Sequence, residues 1–427
     1  MAMTRQSAGE GALLVISLAA LGVVVGALTV ALDFAVDGAA AVFGTCGWLG
    51  WLLPVAGFAT FGAYRALRLD FSWSTAQVME AVRDGRPVPA PLAPAIIVGT
   101  SLTVLCGGSV GKEAAALQMG AAASEPFRRF LPGRLSRLLP SAALAAALGA
   151  MLDAPLAGAV FSFEALRRRP QSVADVFAPV VTALVAWGVT EAAGVRFLVA
   201  APLALDAAAL GLAGGAALAG GLAAGLLALL FCRALLALRK GLARLGAPVF
   251  ALAVGGVATA LVLGYAELFH YEGLRAFSGT GAAQISVALS GGDLPWWAFA
   301  MKAALTLLTL AGGFKGGEIM PVLAIGACLG VALADGAAAL GATEVARGVL
   351  AVAVMAAFFA GCTNCPLTAG MFVLELLGPW ALAVSAPAVT AAFLVARSTS
   401  LYPTSLPRWS TTPTFLPAPS GGRRPRR

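Results

Sequence analysis

A chain of 427 residues that is 60% hydrophobic and only 11% charged has too little polar surface for a soluble domain, where about 25% charged residues is usual. Its net charge of +8 sits in short clusters between apolar runs and not on one basic face, which excludes nucleic acid as a partner and implies a lipid bilayer. One histidine and six cysteines without ligand spacing argue against a metal or other cofactor, and against an enzyme, which would need a cluster of nucleophile, base or metal ligands.

A bilayer core is crossed by about 20 apolar residues in a helix. Residues 11–32 hold no ionisable side chain and predict a first span, too long for a signal-peptide core. Runs at 139–152, 177–190 and 319–334 are also uncharged but too short for a simple span. Such partial helices survive in a membrane only when buried in protein or lining a wet cavity. Runs at 207–232, 246–266, 348–374 and 376–396 predict further spans. His270, between hydrophobic runs, reads as a loop residue, and Cys362 and Cys365 as small apolar packing residues.

Basic residues mark the intervening loops: Arg128, Arg129, Arg134 and Arg137; Arg167 to Arg169; Arg233, Arg239 and Lys240; and the tail Arg423, Arg424, Arg426 and Arg427. The positive-inside rule places these segments, and with them the termini, on the cytoplasmic side of the plasma membrane. Asp33 and Asp37, just after the first span, suit the opposite side.

Internal repetition decides the architecture. Residues 107–113 and 312–318 both read Gly-Gly-x-x-Gly-x-Glu, at an offset of 205 (312 − 107). Pro155, Leu156, Phe161 and Glu164 match Pro366, Leu367, Phe372 and Glu375 at an offset of 211 (366 − 155). A weaker pair joins Phe71-Ser72 and Ala76-Gln77 to Phe277-Ser278 and Ala283-Gln284. Three pairs in one order and at nearly one offset imply a tandem duplication: a first membrane repeat at 1–200, a second at 201–402, and a short basic cytoplasmic tail at 403–427. Glu164 is followed by three arginines and Glu375 by Leu-Leu-Gly-Pro-Trp, so equivalent ends face opposite sides and the halves are inverted. In transporters of this plan the binding site lies near the midplane, where helix N-termini from both repeats converge.

Each Gly-Gly-x-x-Gly-x-Glu opens a helical segment. A helix N-terminus presents free N–H groups and partial positive charge, which suits an anion. Glu113 and Glu318, ionisable and at matched positions, are the leading functional candidates. A glutamate beside an anion site can fill it when ionised and leave it when protonated, which couples proton to anion movement. Glu164 and Glu375 read either as relay carboxylates or as helix-end residues at the membrane surface. Lys112 and Lys315 either draw anions to the entrance or snorkel to the headgroups.

At these residues the chain resembles the CLC family of chloride channels and proton-coupled anion exchangers, from about residue 10 to 405. Gly111-Lys112-Glu113 with Gln118-Met119-Gly120 is similar to the family's G(K/R)EGP segment. Gly317-Glu318-Ile319-Met320-Pro321 is similar to its GxFxP segment, and Ala154-Pro155-Leu156-Ala157-Gly158 and Pro366-Leu367-Thr368 to its paired helix starts. The resemblance implies an all-α polytopic membrane protein of two inverted repeats of broken and tilted helices, assembled as a homodimer. It places Glu113 at the gating, proton-coupling glutamate and Tyr402 at a late anion-coordinating tyrosine. Gly111, Lys112, Gly317, Ile319, Met320 and Asn364 complete the implied anion-binding set. The central serine of the family's GSGIP segment is absent, with Trp73 or Ser74 its nearest counterpart.

Phe314-Lys315-Gly316-Gly317-Glu318 with Thr363-Asn364-Cys365-Pro366 is similar to the fluoride-selective, proton-coupled branch. The proton glutamate of chloride exchangers aligns with Ala165. The implied function is a fluoride/proton antiporter exporting the anion, with Glu318 as a second acid. The alternative is a chloride/proton exchanger or voltage-gated-type chloride channel of the same fold.

Overall fold

The computed structural model describes residues 2–131, 133–197, 207–268, 272–341 and 347–406. His270 and most of the basic tail (407–427), with Arg423, Arg424, Arg426 and Arg427, lie outside them. The first half runs α1 (Ala2–Thr45), a single 3-10 segment (Gly47–Leu52), α2 (Leu53–Ala66), α3 (Thr75–Asp84), α4 (Leu92–Leu105), α5 (Glu113–Arg128), α6 (Gly133–Ser136), α7 (Leu139–Met151), α8 (Pro155–Glu164) and α9 (Val173–Ala192). The second runs α10 (Ala207–Ala243), α11 (Pro248–Leu268), α12 (Glu272–Arg275), α13 (Ala282–Leu289), α14 (Ala298–Ala311), α15 (Ile319–Ala339), α16 (Arg347–Thr363), α17 (Pro366–Leu377) and α18 (Pro379–Ala396). Helices α3, α4 and α5 are echoed by α13, α14 and α15 at offsets of 207 (282 − 75), 206 (298 − 92) and 206 (319 − 113).

Among the described residues six helices are long and apolar enough to cross a membrane: Gly11–Thr45, Val173–Ala192, Gly214–Ala243, Pro248–Tyr265, Ile319–Ala339 and Pro379–Ala396. The molecule is a multi-pass, all-helical membrane protein. Two of these correct the sequence reading. The runs at 177–190 and 319–334 look too short to span, yet their helices continue past Asp175, Glu191 and Asp335 to 20 and 21 residues. A single terminal acid ends an uncharged run without ending a helix. Arg233, Arg239 and Lys240, read as loop residues, belong to the last turns of α10.

The run at 348–374 errs the other way. It is divided into α16 and α17 at Asn364, whose φ of 58° is left-handed. Asp153, 211 residues earlier (364 − 153), has φ of 56° and divides α7 from α8. Asn and Asp enter this region more readily than other side chains, and the proline at N1 of α8 and α17 starts the new helix without needing an N–H.

Helices α15 and α16 form the centre of the fold, buried along nearly their whole length. Between helices surrounded by lipid, association rests on close packing of small residues. Gly326 and Gly330 supply it: a Cβ on either would lie 2.8 or 2.6 Å from the backbone of Met355 or Ala351.

Candidate functional site

The N-termini of α5 and α15 meet head to head. Gly111 donates its amide to the Gly317 carbonyl and Gly317 donates to the Gly111 carbonyl, both at 2.6 Å. Only glycine permits this approach. A Cβ on Gly317 would sit 2.7 Å from the Ala114 nitrogen, and one on Gly111 would sit 2.6 Å from the Met320 Cβ. Because these two amides satisfy each other, they are not free for an anion. The N–H groups left over belong to the first turns that follow, on residues 113–115 of α5 and 319–320 of α15. Ile319 and Met320 are buried there, so their contribution to a site is through backbone. Pro321 offers no N–H.

Glu113 opens α5, is 0% exposed, and neither of its carboxylate oxygens has a hydrogen-bond partner. A carboxylate without partners in a low-dielectric interior is a costly arrangement that marks a functional residue. Glu318 is the residue before α15, its side chain makes no cap hydrogen bond, and it is 8% exposed. Its Oε2 lies 3.4 Å from the Thr75 hydroxyl, which in turn accepts from Gln118 Nε2 at 3.0 Å. Tyr402 and Arg239 also act on Glu318. The Tyr402 side chain is wholly buried and edge-on to Phe161, and its hydroxyl faces Glu318 without closing a hydrogen bond to it.

Trp73 and Ser74 lie in the segment that leads into α3. Ser74 is the residue before the helix, but its hydroxyl does not cap it and is buried without a partner. Asn364 is accounted for by the turn it makes: its Nδ2 donates to the Thr399 carbonyl, while its Oδ1 is unpartnered. Lys112 is no free cation at an entrance. It is buried and ion-paired to Asp33 and, at 2.7 Å, to Asp37, both from α1. Lys315 neither attracts from an entrance nor snorkels; it is 6% exposed and bonded to carbonyls.

Glu164 and Glu375 sit at helix ends, and each serves the other's helix. Glu164 accepts from the amides of Leu367 and Thr368 at 2.9 and 2.8 Å, and Glu375 from those of Leu156 and Ala157 at 2.9 and 2.6 Å. The N-termini of α17 and α8 are thereby capped by carboxylates. The reciprocity marks an approximate two-fold relation between the halves.

Sequence reasoning gave no role to Thr75 or Gln118, and read Asp33 and Arg239 without their partners, Lys112 and Glu318. Their side-chain partners lie 43 to 243 positions away, and no local motif signals a contact at such distance. Gln118 alone offered a cue, a polar side chain one turn beyond Glu113 in an otherwise apolar helix.

The fold and site define a membrane protein of paired, broken helices whose N-termini converge on buried glutamates, an anion exchanger or channel. The chain belongs to the voltage gated chloride channel family, the CLC family, whose sequence pattern matches residues 58–400. It is 32% identical over 366 residues, 83% of this chain and 78% of the relative, to the chloride/fluoride channel protein of Pseudomonas syringae pv. tomato (strain ATCC BAA-871 / DC3000). Its fold resembles a CLC-type fluoride/proton antiporter with a TM-score of 0.81 at 24% identity, covering 92% of this chain and 97% of that one. A slow cyanobacterial Cl⁻/H⁺ antiporter is similar at a TM-score of 0.76 and 19% identity, covering 90% and 94%.

Proposed function

We propose that this protein is a proton-coupled fluoride antiporter that exports the anion across the plasma membrane. The observation that carries the reading is Glu113: wholly buried, without a hydrogen-bond partner, at the meeting point of two helix N-termini. In this reading the ionised carboxylate competes with the anion for the free amides of α5 and α15, and the protonated form gives way. Glu318, held by Thr75 and backed by Tyr402, is the second acid.

Fluoride is small and strongly hydrated, so removing its water demands strong replacement donors. The unpartnered hydroxyls of Ser74 and Tyr402 are such donors, as is the O–H of a protonated Glu318. The names of the bacterial relative and of the fluoride/proton antiporter support this choice of anion. Chloride/proton exchange is the second reading, favoured by the likeness to the cyanobacterial chloride antiporter. The same proposal takes residues 1–200 and 201–402 as inverted repeats, the termini as cytoplasmic, and the assembly as a homodimer.

The test is efflux from proteoliposomes loaded with fluoride or chloride, with external pH recorded. Fluoride efflux well above chloride, with protons moving inward, is the expected result. Equal chloride flux would refute the choice of anion, and anion flux without proton movement would refute coupling.

A further inference from the structure

Two buried lysines do the same job in the two halves without occupying equivalent positions. Lys315 donates to the carbonyls of Phe71 and Trp73 at 2.6 and 2.9 Å. Lys302, on α14, donates to those of Phe277 and Gly279 at 3.2 and 2.6 Å. The carbonyls are repeat-equivalent, both pairs at an offset of 206 (277 − 71 and 279 − 73). The lysines are not: by the same offset Lys302 falls on Ile96, and by the glycine motif's offset of 205 Lys315 falls on Val110. Both are nearly inaccessible, at 6% and 0% exposure.

The consequences differ because the held segments differ. The second-half segment is anchored by its own half, and among the described residues it makes no hydrogen bond to a glutamate. The first-half segment continues from Trp73 directly into Ser74, with its unpartnered hydroxyl, and Thr75, which contacts Glu318. Lys315 comes from the opposite half, three residues before Glu318. Its ammonium lies 4.0 and 4.7 Å from the ring centres of Phe71 and Tyr64, and no carboxylate among the described residues pairs with it. Its bonds to the two carbonyls and its contact with the two ring faces tie the two chain segments together.

We propose that Lys315 is a positioning residue for anion selection. It fixes the Trp73–Thr75 segment against Glu318, whereas Lys302 is its structural counterpart without that role. This rests on the reading that Ser74 and Glu318 handle the anion.

The experiment compares wild type, Lys315→Met, Lys315→Arg and Lys302→Met in proteoliposomes. It records the fluoride-to-chloride flux ratio and, separately, the thermal midpoint in detergent. Lys315→Met is expected to lower the ratio about tenfold, a difference of about 1.4 kcal/mol between the two anions. Lys302→Met is expected to lower the midpoint while keeping the ratio within about twofold of wild type. A folded Lys315→Met with the wild-type ratio overturns the proposal. Equal shifts from both lysines overturn it too, since general loosening would then suffice. Should Lys315→Met not fold, Lys315→Arg decides: the charge stays but the two-carbonyl geometry changes, and an unchanged ratio overturns the proposal. The preceding reading fails separately, if wild type itself does not favour fluoride; the change in ratio caused by Lys315 is still read against whatever wild type shows.

Discussion

Glu164 and Glu375 each end one helix and cap the other's: the carboxylate of Glu164 holds the start of α17, and that of Glu375 holds the start of α8. Removing an N-terminal cap costs about 0.5–2 kcal/mol, and these caps are charged and join the halves. Glu164→Ala and Glu375→Ala should therefore each destabilise by about 1–2 kcal/mol in denaturant unfolding from micelles. Unaltered stability with lost proton coupling in either variant would restore the relay reading and remove this one.

Glu113 makes no hydrogen bond that substitution could break. Glu113→Gln should fold with a near-native thermal midpoint and should drop proton movement to the level of empty vesicles, whatever becomes of anion flux. Proton uptake that persists at wild-type rate would show that another group carries the coupling.

The Thr75 hydroxyl stands between Gln118 and Glu318. Thr75→Val keeps the shape and deletes the hydroxyl, at a cost of about 1–3 kcal/mol for the buried Gln118 donor left unpaired. Glu318→Gln should lower fluoride flux or coupling by a larger factor than it lowers stability, and Thr75→Val should shift flux in the same direction. Wild-type fluoride flux in a well-folded Glu318→Ala protein would end the claim that Glu318 acts on the anion.

The crossing of Gly111 and Gly317 leaves no room for a methyl group. In Gly317→Ala the new Cβ would press on the Ala114 nitrogen at 2.7 Å and on the Gly111 carbonyl at 3.0 Å, and overpacking of this kind costs about 1–3 kcal/mol. Because the strain falls on the two helix starts, anion flux should suffer more than the elution volume in gel filtration. An active Gly317→Ala protein would mean that the helix ends can separate without consequence.

Much of this arrangement is written in short stretches of chain. The repeated Gly-Gly-x-x-Gly-x-Glu marks the two helix starts that meet, and the paired Pro-Leu motifs mark α8 and α17. Glycine, proline and Asx residues act through their own φ and ψ, so their effect is local and can be read without a partner. Charge is a poor marker of helix ends: α15 runs past Asp335, because one acid near the membrane edge does not interrupt the backbone hydrogen bonds. The division at Asn364 was hidden by an unbroken apolar composition.

Residue order alone specifies a protein that lives in a bilayer, a duplicated helical unit, and two glutamates that follow two matched glycine turns. Hydrophobic length and backbone conformational preference suffice for that. What each buried polar group touches is set by the packing of helices distant in sequence. Gly111 and Gly317 bond to each other, Lys112 answers to α1, and Lys315 reaches 242 and 244 residues back to hold the segment beside Glu318. A buried charge must find partners somewhere, but packing alone chooses which distant carbonyl or carboxylate stands within 3 Å or so.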